Sequence, residues 1–351
     1  MKYFFVVPNL DAGGAERVTI TIARILRKHG TEVEFLNLGS ENGAMKSWIE
    51  PEFKMTSMGC KRVLAAYPKL CSFMKRHKDD RFFSSREHVN LVLLAASRKT
   101  GVNVIVRIPN MPDNKLTSGL SGFKMSVVKR FNKILLPKAK VIIAQNAEMR
   151  KKLLSFYGLK DELVVAINNP VDKEFVLNSA KGSINPFNES ECNYLAVCNI
   201  QPSKGIDVLI NAWPNVKKQI SNAHMYVLGR DDSEYAQIIK SSAKNLCDFT
   251  FLGFIGNPYP YLKHTNVFVL PSKMEGFPNV VLEAMCFNRP IVATDCVEVI
   301  SEIVKPGNNG YRCKVDDSIS LSEAMVKASN LNDIHNSYNL FDEEKLINLF
   351  Q

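Results

Sequence analysis

The chain's 351 residues exceed what one compact core usually holds and suit two domains. At 46% hydrophobic and 23% charged, the composition is globular and excludes collagen-like, low-complexity and disordered chains. The net charge of +10 is one-sided: residues 51–150 carry 20 Lys or Arg against 6 Asp or Glu, whereas residues 181–351 carry 15 against 19, a field that suits a polyanion or an anionic membrane surface.

Short β-branched and aromatic runs alternate with helical patterns throughout, the order expected of parallel sheets covered by helices. In the first half the predicted strands are Tyr3–Val7, Glu32–Asn37, Val102–Arg107, Lys140–Ala144 and Leu163–Ile167, with helices near Ala15–Lys28, Val89–Arg98, Phe123–Leu136 and Ala147–Tyr157. Residues 178–190 break into Asn, Ser, Gly and Pro without an apolar period and read as a linker. A second series follows, with strands at Tyr194–Ile200, Met225–Gly229, Phe249–Phe254, Val267–Pro271 and Pro290–Thr294 and helices near Ile206–Lys218, Tyr235–Leu246, Val280–Phe287 and Ser320–Ala328. The expected fold class is therefore α/β: a domain over 1–177, the linker, a domain over 191–337 and a tail, 338–351, that packs back on the first. Two doubly wound domains bind ligands in a cleft at the carboxyl ends of their strands.

The longest apolar runs fall far short of the ~20 residues that span a bilayer, and Met1–Pro8 lacks the pattern of a signal peptide. The eight cysteines form no Cys-x-x-Cys pair and stand apart from the histidines, so a zinc site is not expected and reduced thiols fit a cytosolic chain.

Candidate chemistry gathers at three places. Gly13 and Gly14 lie between the first strand and first helix, where small residues let backbone amides approach an anion. The pattern is not Gly-x-Gly-x-x-Gly, which argues against a nicotinamide oxidoreductase. After the strand Val267–Pro271 come Glu275, Gly276, Phe277, Pro278 and Glu283; Pro278 suits a first helical turn, and the eight positions from Glu275 to Glu283 span at most ~12 Å if helical. That is the scale separating the two sugars of a sugar nucleotide, although in isolation two such glutamates would suit a solvated helix face. Lys204 and Gly205 follow the first strand of the second half, where an ammonium can neutralise a diphosphate.

In that order these pieces resemble the retaining group 1 (family 4) glycosyltransferases of GT-B architecture. The resemblance runs through Gly13-Gly14-Ala15-Glu16, Leu136-Pro137-Lys138-Ala139, Asn168-Asn169-Pro170-Val171-Asp172, Phe251-Leu252-Gly253, Glu275 to Glu283 and Glu302-Ile303. It covers most of the chain and is nearest to bacterial enzymes of surface polysaccharides such as capsule or O-antigen. It implies two Rossmann-like domains facing across a cleft, with donor-sugar contact at Glu275, ribose contact at Glu283 and diphosphate contact at Lys204. Backbone contacts would come from Gly276 and Phe277, and Gly13 and Gly14 would approach the donor phosphate from the other domain. Three places depart from the family pattern: Cys198-Asn199 stands where Gly-Arg is usual, which leaves Asn199 in the donor loop and one phosphate cation missing; Glu298-Val299-Ile300 replaces Ser-Gly-Pro; and Arg107 and Asn110 are the polar candidates where many relatives place a histidine.

The implied reaction moves a hexose or N-acetylhexosamine from a UDP-sugar to a glycan or polyprenyl-diphosphate-linked acceptor, with no cofactor, no catalytic metal and no nucleic acid. A non-catalytic sugar-nucleotide-binding or scaffold subunit is the second reading. The chain is expected in the cytoplasm, peripheral on the inner face of the plasma membrane. The basic residues Lys61, Arg62, Lys69, Lys75, Arg76 and Lys78, with Lys124, Lys129, Arg130 and Lys133, would supply that contact, whereas Phe123, Val127, Phe131, Ile134 and Leu135 read mostly as core.

Overall fold

The computed structural model describes residues 1–351 except Ala12, Ala44, Pro51, 113–121 and Asp333, and gives the backbone alone for 122–126. It divides into two compact units, Met1–Pro170 with Leu340–Gln351, and Val171–Asn339. The division falls ahead of the polar 178–190 segment, which belongs wholly to the second unit: Asn257 Nδ2 donates to Ser179 O (2.8 Å) and Lys263 Nζ to Ala180 O (3.2 Å), so side chains tie its start down.

The first unit holds strands β1 (Lys2–Val7), β2 (Glu32–Asn37), β3 (Met55–Ser57), β4 (Arg81–Ser84), β5 (Val104–Ile108), β6 (Val141–Ala144) and β7 (Val164–Ala166), all parallel in the order β3-β2-β1-β4-β5-β6-β7. Its helices are α1 (Gly14–Lys28), α2 (Lys46–Ile49), α3 (Tyr67–Arg76), α4 (Glu87–Thr100), α5 (Gly122–Leu135) and α6 (Ala147–Tyr157). Helices on both faces bury the strands on both sides, which is why β1 is apolar from Tyr3 to Val7 and β6 throughout, rather than alternating. One face packs Tyr3, Phe5, Phe35 and Phe83 against Val18, Ile22 and Leu26 of α1. On the other, Phe73 of α3 meets Phe4 and Phe82 edge-on at 5.0 and 6.2 Å.

The second unit opens with α7 (Lys173–Ser179). Its sheet is β8 (Cys192–Val197), β9 (Ala223–Leu228), β10 (Phe249–Gly253), β11 (Val267–Leu270), β12 (Ile291–Thr294) and β13 (Gly310–Cys313), in the order β10-β9-β8-β11-β12-β13. The covering helices are α8 (Ile206–Gln219), α9 (Glu234–Ser242), α10 (Tyr259–His264), α11 (Asn279–Met285), α12 (Val299–Ile303) and α13 (Ser318–Ala328). Trp213 and Tyr194 anchor its core. The chain then returns to the first unit as α14 (Glu343–Phe350), whose Phe350 ring lies 5.0 Å from Tyr3 and 5.5 Å from Phe83.

One expectation is corrected here. Of the apolar stripe read as core on α5, Leu135 is buried but Val127, Phe131 and Ile134 are exposed; the side chains of Phe123 and Lys124 lie outside the described residues. The helix turns Asn132 inward instead, because its amide donates to Glu87 Oε1 (3.0 Å) and to the Tyr157 hydroxyl (3.3 Å).

Candidate active site

In each sheet the strand order reverses once, between β1 and β4 and between β8 and β11, and a ligand crevice opens at such a point. Parallel pairing of β8 with β11 sets their carboxyl-end loops side by side. After β8 the chain makes a 3₁₀ turn, Pro202–Lys204, and leaves it through Gly205 at φ +64°. A Cβ at Gly205 would stand 1.9 Å from the Pro271 carbonyl oxygen, so only glycine lets the two loops close. Lys273 N and Met274 N then donate to Ser203 O at 2.8 and 3.3 Å, stitching the loops together.

That closure brings Lys204 to Glu275. Its ammonium donates to both carboxylate oxygens, at 2.7 and 2.9 Å, and the Ser272 hydroxyl donates to Oε1 at 2.7 Å. Ser272 is itself fixed, since its carbonyl accepts the Thr294 hydroxyl from the end of β12. Burial works against the Lys204 charge, but Glu275 outweighs it and the pKa lies above the usual value. Two thiols border the pair: Cys198 and Cys296 are pushed up to about 12 by burial, with Glu275 adding to the effect, and stay neutral at physiological pH. Lys273 turns away to bridge Asp207 (2.8 Å) and Asp316 (2.7 Å).

The remaining residues expected to face the donor spread along this strand-end row. Gly276 is half-buried and Phe277 is buried, its carbonyl accepting Asn279 N at 3.0 Å. Pro278 caps α11 rather than standing in its first turn, so Glu275 lies on the loop and Glu283 within the helix. Glu283 is buried, and burial together with its charge pushes the Cys286 thiol up to about 12 while Lys173 pulls the other way. Asn199 is exposed; its Oδ1 accepts Arg230 N at 3.3 Å. Arg230 was not foreseen: the turn after β9 sets its backbone beside Asn199 and stacks its guanidinium 4.9 Å over the Phe254 ring. Where the family pattern has Ser-Gly-Pro, Val299 and Ile300 are buried at the start of α12.

The reversal point of the first unit holds a second ion pair. Gly13 caps α1, and a Cβ there would come within 2.6 Å of Glu16 Oε2. Glu16 is buried and grasped by Arg86, through Nε to Oε1 and through Nη2 to Oε2 at 2.7 Å. Gly14 opens the helix. Arg107 and Asn110, expected together, diverge: Asn110 is exposed after β5, whereas Arg107 is buried and donates from Nη2 to Asn169 Oδ1. Asn169 passes a bond to Gln145 (2.9 Å), which donates to Ile108 O (3.1 Å). Burial lowers the Arg107 pKa to about 9 against the pull of Glu16, so the guanidinium is charged at neutral pH. Among the described residues no cluster of three or more His, Cys, Asp or Glu could hold a metal ion.

Two family models account for the two halves. Residues 12–175 match Glycosyltransferase Family 4 and residues 191–330 match Glycosyl transferases group 1. The chain belongs to the group 1 glycosyltransferases. An uncharacterized glycosyltransferase of Haemophilus influenzae is 25% identical over 93% of this chain and 89% of its own length. An N-acetylgalactosaminyltransferase of Campylobacter jejuni, named for an undecaprenol-diphosphate-linked GalNAc acceptor, is 23% identical over 93% and 88%. Anabaena HepE, solved with UDP and glucose, superposes with a TM-score of 0.78 at 17% identity, covering 100% of this chain and 98% of that one. The likeness shows the GT-B fold. For this glycosyltransferase, the residues missed from sequence were those whose role depends on strand order: Ser272, Arg230 and the Glu16–Arg86 pair. Glu16 and Asn169 stood within motifs already noted, but nothing in their spacing showed what they would bond.

Proposed function

We propose that this glycosyltransferase transfers a hexose or N-acetylhexosamine, with retention of configuration, from a UDP-sugar to a hydroxyl of a lipid-linked glycan during assembly of a bacterial surface polysaccharide. The observation that carries the reading is the Lys204–Glu275 pair at the reversal point of the second sheet. An ammonium has three N–H donors; two are on Glu275, and the third is available to a diphosphate oxygen. Glu275 keeps lone pairs for donor-sugar hydroxyls. HepE solved with UDP and glucose and the undecaprenol-linked acceptor of the Campylobacter relative support the donor and acceptor classes.

In this reading the acceptor oxygen bonds to C1 as the C1–O bond to the diphosphate breaks on the same face, and the acceptor proton passes to a leaving diphosphate oxygen. The protein supplies positioning and charge stabilisation rather than a nucleophile. Incubation with a panel of UDP-sugars, with UDP release as the signal and the product linkage read by NMR, tests it. Release abolished by Glu275→Ala and a retained anomer are expected; an inverted linkage overturns the mechanism, and unchanged release in EDTA is the expected result for a metal-free reaction.

A further inference from the structure

The carboxyl ends of β9 and β10 carry a pair of side chains to which the transfer reaction assigns no part. Gly229 follows β9 and Gly253 ends β10, and Gly229 N donates to Gly253 O at 2.9 Å, so the two turns are tied together. A Cβ at Gly229 would stand 1.8 Å from the Cys198 carbonyl oxygen, so only glycine lets the end of β9 close on the loop after β8. The next residue is held there twice: Arg230 N donates to Asn199 Oδ1 (3.3 Å), and Arg230 O accepts Ile200 N (3.0 Å). Its guanidinium then lies 4.9 Å over the ring of Phe254, the residue after Gly253.

Both groups stand in solvent: Phe254 is 48% exposed, and Arg230 is exposed. Arg230 makes no ion pair among the described residues, because the adjacent Asp231 is held by Lys240 at 2.8 Å instead. A single exposed phenylalanine needs no explanation. A planar cation laid on its ring is a different object. The stack orders a long side chain into a flat, positively charged plate whose backbone is already fixed at both turns.

The place of the plate selects its occupant. In the order β10-β9-β8-β11, Lys204 and Glu275 follow β8 and β11, and the plate follows β9 and β10 in the same strand-end row. At ~4.8 Å between strands, it begins one strand from the Lys204 loop and ends two strands from it. A nucleoside diphosphate whose phosphates meet Lys204 carries its base beyond the ribose, and a nucleobase has a π face that stacks on aromatic rings and guanidinium planes. We propose that the Arg230–Phe254 plate takes the nucleobase of the donor, so that Arg230 recognises the base and is not a substitute for the phosphate cation missing at Asn199. Its direction agrees, because Phe254 draws the guanidinium toward β10, away from the β8–β11 pair. The inference rests on the glycosyltransfer reading for its ligand, a nucleoside diphosphate, and goes beyond it in naming what holds the base.

The test is calorimetry of the full chain with UDP and with ribose 5-diphosphate, which is UDP without its base. Wild type should bind UDP about tenfold tighter or more. Arg230→Ala and Phe254→Ala should each weaken UDP on the order of tenfold, the scale of one base stack, while leaving ribose 5-diphosphate affinity and the melting temperature unchanged. Arg230→Lys should not restore UDP, because an ammonium has no plane to stack, whereas Phe254→Trp should retain it. Wild-type UDP affinity in Arg230→Ala, or full rescue by lysine, overturns the proposal. So does an equal loss of both ligands, which would make Arg230 a phosphate cation. Wild type that binds neither UDP nor any other nucleoside diphosphate would overturn the glycosyltransfer reading, and the proposal with it.

Discussion

With two of its three N–H groups on Glu275, Lys204 orients that carboxylate, and in the proposed reaction its last donor meets the leaving diphosphate. Lys204→Ala should therefore lower turnover by ~10²- to 10³-fold, the scale for losing one contact to developing charge; turnover within about threefold of wild type would place the diphosphate elsewhere. Ser272 acts on the reaction through Glu275, so Ser272→Ala should cut kcat on the order of tenfold, the worth of a hydrogen bond to a charged group, with UDP affinity unchanged. Ser272→Thr, which keeps the hydroxyl, should restore it. The two glutamates separate by calorimetry: Glu283→Gln should weaken UDP itself, whereas Glu275→Gln should spare UDP and weaken only the intact sugar nucleotide. Equal loss of UDP in both would refute that division. Lys204 and Glu275 were each legible in the sequence, but their direct bond was not, because it needs β8 to neighbour β11 across 71 positions of sequence. The burial of Arg107 was hidden for another reason: in a strand covered on both faces, no alternation shows which way a polar residue turns.

At the scale of elements, the loop that carries Lys204 depends on a glycine for two separable reasons. Gly205 has φ +64°, and its missing Cβ would meet the Pro271 carbonyl at 1.9 Å; Gly101, at the end of α4, has φ +77° and open space. Alanine at Gly101 should cost only the left-handed penalty, ~1–2 kcal/mol. Gly205→Ala adds a backbone clash and should cost roughly 3 kcal/mol or more, lowering the melting temperature by about 6–12 °C and taking turnover down as the loops part. Equal melting shifts for the two variants would mean that the Pro271 contact is not what holds the loop. The longer elements were readable by their period; β2 and α6 fall where the pattern put them. Missed were β3, β4, β13, α2, α3, α7, α10, α12 and α14. Of these β4 matters most, since it is a central strand beside β1. Four residues, Arg81–Ser84, between Asp79-Asp80 and Ser85-Arg86 are too few to show a period, and only tertiary burial makes them a strand.

At the scale of the molecule, the chain leaves the first unit after Pro170 and re-enters it at Leu340, so the first unit is completed only by residues 340–351. Charge asymmetry was plain from counting and a returning tail over 338–351 was expected, but the pocket that receives α14 is one that no local pattern displays. Phe350 fills it, buried against Tyr3, Phe5 and Phe83, while Asn168 Nδ2 donates to Leu340 O (3.0 Å) and His29 meets Glu343 at 2.9 Å. The aromatic contact should dominate, because an exposed ion pair contributes ~0–1 kcal/mol whereas emptying a buried phenylalanine site costs ~3–5 kcal/mol. Phe350→Ala should accordingly raise amide exchange in β1, β2 and β4 and leave β8, β9 and β11 at wild-type protection, while Glu343→Gln changes neither. Hydrogen exchange read strand by strand checks this. Equal deprotection of both sheets would mean that the two units unfold as one cooperative block, and unchanged protection in β1 would mean that α14 contributes nothing to the first core.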